Sequence, residues 1–269
     1  MHFTTLLPHL LALLAVPARA QSSGTGPYPA KYTTSTTLPK HTIYLPSTLP
    51  FNQSLPVIAW GNGGCMGRGL TFSNFLTEIA SYGFMIVANG APDGRLFPQT
   101  TAAMLTATLD WAEEASGEGG EYQGRLDTGS MAVAGQSCGG LEAINVGNDT
   151  RVRTVGVFNS GLLDMEKKDL LDRIRVPVYY FLGGSGDIAY PNGERDYADL
   201  PAGLPAWKAN FDVGHMGTYS EANGGEFGKA AVAYFKWALK GDTAAKALLI
   251  GNPPGLAAAG WDVVYKNMA

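Results

Sequence analysis

Apolar positions in this chain gather into short runs set between longer amphipathic stretches. The short runs predict strands at 41–45, 57–60, 84–88, 131–134, 154–158, 178–182 and 206–211. Stretches in which apolar residues recur three or four apart predict helices over 71–81, 100–115, 138–147 and 226–239, with shorter ones at 167–173 and 192–200. Several strand runs, VIAW and VYYFL among them, are unbroken rather than alternating. A strand covered on both faces reads that way, so a mostly parallel central sheet with helices on both faces is expected. Strand and helix alternate along the whole length without a repeat or a linker, which predicts a single α/β domain.

Two N-terminal segments fall outside this pattern. Residues 1–20, MHFTTLLPHLLALLAVPARA, are apolar from Leu6 to Val16 and end in Ala18-Arg19-Ala20. That is the grammar of a secretory signal peptide with its small-residue cleavage site, so an extracellular protein is expected. The apolar stretch is too short for a bilayer and no later one is longer, so no membrane span is expected. Residues 21–39 are rich in Ser, Thr, Gly and Pro without periodicity and predict an irregular arm, leaving 40–269 as the domain.

Composition narrows the function classes. With 45% hydrophobic and 16% charged residues among 269, the chain can pack a core. A net charge of −4 without a basic cluster argues against nucleic acid as a partner, because phosphate binding needs clustered positive charge. No His/Cys cluster has the spacing of a metal site, so no metal and no cofactor are expected. Asn52-Gln53-Ser54 and Asn148-Asp149-Thr150 are glycosylation acceptors at Asn52 and Asn148.

In parallel α/β sheets, sites form beyond the carboxyl ends of the strands. The run Met131-Ala132-Val133-Ala134 leads into Gly135-Gln136-Ser137-Cys138-Gly139 and then into a predicted helix. This is G-x-S-x-G between strand and helix, a turn that lifts a serine side chain above the sheet. A serine hydroxyl needs a base. Of four histidines, His2 and His9 lie in the signal segment, and His41 precedes the serine in the first strand. That leaves His215, in the glycine-flanked loop Val213-Gly214-His215-Met216-Gly217. Asp187, just past the strand at 178–182, is the expected carboxylate, in the order Ser–Asp–His; Asp164, past the preceding strand, is its rival. The oxyanion donors expected are the N–H of Cys138, after the serine, and that of Asn62 or else Gly63, in the loop Gly61-Asn62-Gly63-Gly64-Cys65.

On GNGGC at 61–65, AVAGQSCGG at 132–140, Asp187 in GSGDIAYPNG and His215 in VGHMG, residues 40–240 resemble the α/β-hydrolases. The chain looks most similar to the lidless branch of dienelactone-hydrolase-like and cutinase-like polyester hydrolases. Ser137 stands where dienelactone hydrolases carry a cysteine. Asn62 and Cys138 stand where polyester hydrolases carry an aromatic residue and a methionine. The resemblance implies an α/β-hydrolase catalytic domain without a cap, and Asn62 and Cys138 as the oxyanion pair. It also brings the two cysteine-bearing segments face to face, which implies a Cys65–Cys138 disulfide. The expected protein is a secreted, monomeric serine esterase acting on carboxylic esters, bulky or polymeric ones included. An amide or peptide hydrolase with the same triad, or a non-catalytic binding protein on the same fold, is the alternative.

Overall fold

A computed structural model describes residues 23–268; the predicted signal segment, with His2 and His9, lies outside the described residues. Among the described residues nine strands are formed: β1 (Ala30–Thr33), β2 (His41–Pro46), β3 (Leu55–Gly61), β4 (Met85–Asn89), β5 (Leu126–Gln136), β6 (Val152–Phe158), β7 (Val178–Leu182), β8 (Ala206–Asn210) and β9 (Asp262–Lys266). They make one sheet in the order β1-β2-β4-β3-β5-β6-β7-β8-β9. The six strands from β4 to β8 pair in parallel, and antiparallel pairs close both edges.

Seven α-helices of the described residues flank the sheet: α1 (Ser73–Ala80), α2 (Ala102–Ser116), α3 (Cys138–Val146), α4 (Asp169–Arg173), α5 (Tyr190–Asp199), α6 (Gly225–Lys240) and α7 (Thr243–Ile250). Side chains alternate along a strand. Ile58, Trp60, Phe158 and Phe181 therefore pack on one face with Phe75 of α1, Phe227 and Tyr234 of α6 and Leu249 of α7. Val57, Val133, Val155 and Tyr180 pack on the other with Leu105 and Leu109 of α2 and Ile144 of α3. Coverage of both faces explains the unbroken runs: every residue of β3, β4 and β7 is buried. Each such large side chain contributes about 1.5–3 kcal/mol.

The structure departs from the sequence pattern at the edges. Residues 21–39, read as irregular, contain β1, which lies against β2 from Ala30↔Pro46 to Thr33↔Ile43. Only Ala30 of β1 is buried, so main-chain pairing rather than an apolar face sets it. β9 is a second edge strand with no buried residue. α7 lies beyond the helices that the apolar spacing predicts; Asp242 caps it by accepting from the Ala245 N–H at 2.8 Å. The helix expected at 167–173 divides into a 3-10 turn, Met165–Lys167, and α4. These two short elements are what the connection from β6 to β7 contains.

The chain leaves β3 for β4 on one side and later returns to place β5 on the other. Such a reversal opens a crevice above the strand ends. β5 ends there at Gln136, and Ser137 is the next residue. α3 starts with its backbone directly on the strands. A Cβ on Gly139 would lie 2.0 Å from the Gly61 carbonyl oxygen, and one on Gly135 would lie 2.3 Å from that of Gly139. A side chain at either glycine would lift the helix off the sheet.

Candidate active site

Ser137 links β5 to α3 with φ 53° and ψ −116°. A non-glycine residue in such a region costs about 1–3 kcal/mol and persists only when its surroundings hold it. Here the Ser137 N–H donates to the Phe158 carbonyl at 2.9 Å, and the Ser137 carbonyl accepts from the Gly140 N–H at 2.9 Å and the Ser160 hydroxyl at 2.6 Å.

His215 Nε2 lies 3.0 Å from Ser137 Oγ, and its Nδ1 lies 2.6 Å from Asp187 Oδ1. Asp187 follows β7 and is buried. Its Oδ1 also accepts from the Ala189 N–H at 2.9 Å, and its Oδ2 from Asn159 Nδ2 at 2.8 Å and the Gly183 N–H at 3.1 Å. Burial pushes this carboxyl up, but the bonds from His215, Ala189, Asn159 and Gly183 outweigh it and hold the group below the usual carboxylate range. The rival, Asp164, is exposed and accepts from the Glu166 N–H at 2.9 Å; it does not join this line. His41 is buried in β2, its Nε2 3.2 Å from the Met104 carbonyl oxygen, and burial pushes its imidazole down to about 4.

Asn62 follows Gly61 and Cys138 precedes Gly139, the two glycines whose backbones pack closely. Cys138 opens α3, where the first N–H groups lack intrahelical acceptors. Asn62 directly follows the paired Gly61↔Gly135. Its fully buried side chain turns away, Nδ2 donating to the carbonyls of Asn89 at 2.6 Å, Arg68 at 3.1 Å and Met66 at 3.2 Å. A disulfide joins Cys65 to Cys138, with Cα atoms 5.3 Å apart. Sulfurs of both cysteines and a Glu142 carboxylate oxygen lie within 4.8 Å of one another, the one such grouping among the described residues. Both sulfurs are committed to the disulfide, so neither is a thiolate ligand for a metal.

Glu142 knits this region together, accepting from Thr100 Oγ1 at 2.7 Å and Asn89 Nδ2 at 2.9 Å. Burial raises its carboxyl above the usual value against the lowering effect of these two bonds. The folded state therefore holds the proton more tightly than the unfolded chain. This contribution to stability is full below the unfolded value and is lost as pH rises through the raised one. Glutamine cannot ionise, yet its oxygen can accept from Asn89 and its amide can donate to Thr100. Glu142→Gln is expected to be at least as stable as the parent near pH 7, with the difference shrinking toward about pH 4. Thermal unfolding measured across that range checks the sign.

Three buried residues around Ser137 carried no sequence signal. Gln136 Nε2 donates to the His215 carbonyl at 3.0 Å, and its Oε1 lies where a Cβ on Gly63 would be. Asn159 touches Asp187, and Tyr219 donates to Asn159. Only Gln136, adjacent to the serine, had a position that could have flagged it.

A cleft of about 200 Å³ opens beside Ser137 and His215, with Leu141, Leu163, Ile188 and Ala189 in its lining. Leu163 and Ile188 are 76% and 78% exposed, so the rim is apolar and open. Larger hollows lie elsewhere, about 710 Å³ against α6 and α7 and about 630 Å³ beside Asn148 and Arg151. Neither lining includes a serine or cysteine beside a histidine, so the chemistry points to the smaller one. Asn52 and Asn148 are both exposed. Among the described residues, no helix is long and apolar enough to cross a membrane. No family model matches the chain, and no curated protein matches it.

Proposed function

We propose that this protein is a secreted serine hydrolase of the α/β-hydrolase type that cleaves carboxylic esters. One observation carries the reading: Ser137 Oγ, His215 and Asp187 form a hydrogen-bonded line, 3.0 Å and 2.6 Å per step, above the switch point of a parallel sheet. That is the arrangement by which a base activates a hydroxyl.

In this mechanism Ser137 Oγ forms a bond to the ester carbonyl carbon while His215 Nε2 takes its proton. The carbonyl π electrons move to the oxygen, and the N–H groups of Cys138 and Asn62 stabilise that oxyanion. Collapse expels the alkoxide, which takes the proton from His215 and leaves as the alcohol. His215 then deprotonates a water that attacks the acyl-enzyme, and a second collapse releases the acid and restores Ser137. Asp187 fixes the imidazole tautomer and balances the imidazolium charge. The sequence of steps needs no cofactor or metal. All three groups come from one chain, so a monomer suffices. The open rim with Leu163 and Ile188 suits a bulky or polymeric ester. Secretion is supported by residues 1–20 and by the disulfide, which persists in oxidising compartments. In such a compartment Asn52 and Asn148 are open to glycosylation.

A fluorophosphonate probe tests the reading. The expected result is one adduct on Ser137 by peptide mass spectrometry, absent from Ser137→Ala, together with turnover of p-nitrophenyl esters. A folded protein that takes no probe and turns over no ester would overturn it and favour a binding role. Comparing the best ester with its anilide separates esterase from amidase.

A further inference from the structure

Resting on that reading, we propose that Asn159 and Tyr219 are positioning residues of the reactive centre, extending the line Ser137–His215–Asp187 by two hydrogen bonds into the core. Asn159 follows β6, is fully buried and has φ 43°, a conformation in which glycine or asparagine is least strained. Its N–H donates to the Phe181 carbonyl at 2.7 Å. Its side-chain Nδ2 donates to Asp187 Oδ2 at 2.8 Å and to the Gly214 carbonyl at 3.3 Å, and its Oδ1 accepts from the Tyr219 hydroxyl.

The polarity of this chain of bonds is determined by the groups in it. A carboxylate and a carbonyl only accept, so the amide must turn its NH2 toward Asp187 and Gly214. The amide oxygen only accepts, so Tyr219 must donate to it. Tyr219 in turn is wedged edge-on against Phe72, Phe75 and Phe227, with ring centroids 5.1, 5.1 and 5.2 Å away. Burial and the nearby Asp187 push its phenol well above the usual value, so it stays a donor.

The result is one direction of donation. Tyr219 polarises the Asn159 amide, the amide donates to Oδ2 of Asp187, and His215 donates to Oδ1. The titratable groups facing Asp187 are His215 and Tyr219; the Asp212 side chain lies against Gly184 of the same loop. With Oδ2 held by Asn159 and the Gly183 N–H, Oδ1 is kept toward the imidazole when it becomes charged. The bond to Gly214 ties the same amide to the loop that carries His215. A backbone requirement alone would be met by glycine at 159.

The test uses two variants. Tyr219→Phe removes one hydroxyl, and Asn159→Gly removes the amide while keeping the backbone conformation. The expected loss in kcat is about 3- to 10-fold for Tyr219→Phe, the rate equivalent of a neutral hydrogen bond, and about 10- to 100-fold for Asn159→Gly, that of one to a charged group. KM should stay unchanged. The downfield NMR resonance of the His215 Nδ1 proton should move in both variants, a signature that loss of packing elsewhere does not produce. Folded variants with parental kcat and an unmoved resonance would overturn the proposal, as would losses in kcat that only track a fall in the folded fraction. A parental protein inert toward esters and probe would overturn the esterase reading instead, and the resonance would still report on the hydrogen-bond line.

Discussion

Ser137→Ala is expected to lower kcat toward p-nitrophenyl esters by roughly 10⁴- to 10⁶-fold with KM nearly unchanged. In the proposed mechanism the Ser137 hydroxyl forms the acyl bond, and the other serine lining the cleft, Ser160, has its hydroxyl committed to the Ser137 carbonyl. His215 Nε2, 3.0 Å away, accepts the proton, so His215→Ala should cost a similar factor. The double variant should be little worse than either single one, because a base without a nucleophile has nothing to activate. Asp187→Asn should cost about 10⁴-fold, since an amide facing His215 Nδ1 favours the wrong tautomer. Removing Oγ leaves the backbone of residue 137 in its φ 53° turn, so the fold should persist. Ser137→Gly serves as a control, because glycine occupies that turn without strain. Steady-state kinetics beside circular dichroism of each variant checks these outcomes. Parent-like turnover in Ser137→Ala would remove this serine from the mechanism.

The turn around Ser137 was legible because its physics constrains the residues that can stand there. Two glycines are needed where α3 meets the Gly61 backbone, and they appear in the sequence as G-x-S-x-G between an apolar run and a helix. His215 emerged by elimination, His41 preceding the serine in chain order. The core strands were legible because burial on both faces demands unbroken apolar runs. β1 and β9 were not, since edge strands are set by main-chain pairing and keep mixed side chains. Asn159 and Tyr219 were silent for another reason. They are 60 residues apart, and their part depends on which way an amide and a phenol point inside the folded core. Glu142 was hidden in the same way: a charged residue on a helix reads as a solvated face until Thr100 and Asn89 close over it.

Removing the Cys65–Cys138 bond should affect both stability and rate. The bridge closes a loop across 73 residues, and constraining an unfolded chain over that span is worth about 4 kcal/mol in the chain-entropy model. For a domain of this size, that corresponds to a fall in Tm of roughly 8–16 °C in a Cys65→Ala, Cys138→Ala variant or under reductant. The bond also joins the first residue of α3 to the loop that follows Asn62. The Cys65 carbonyl accepts from the N–H groups of Gln99 at 2.7 Å and Thr100 at 3.0 Å, and the Gly69 N–H donates to the Ala91 carbonyl at 2.9 Å, so the loop retains other anchors when the sulfurs part. Asn62 is held separately through Asn89 and Glu142. Loss of one oxyanion donor costs about 10²- to 10³-fold in kcat, and partial loosening should cost less than that limit, with KM unchanged. Calorimetry and kinetics on the same samples separate the two roles. A fall in both Tm and kcat, measured well below the transition, means that the disulfide preorganises the donors as well as the fold. A fall in Tm alone means that the hydrogen bonds linking Asn62, Asn89 and Glu142 keep the loop in place, and the disulfide acts only on the unfolded chain.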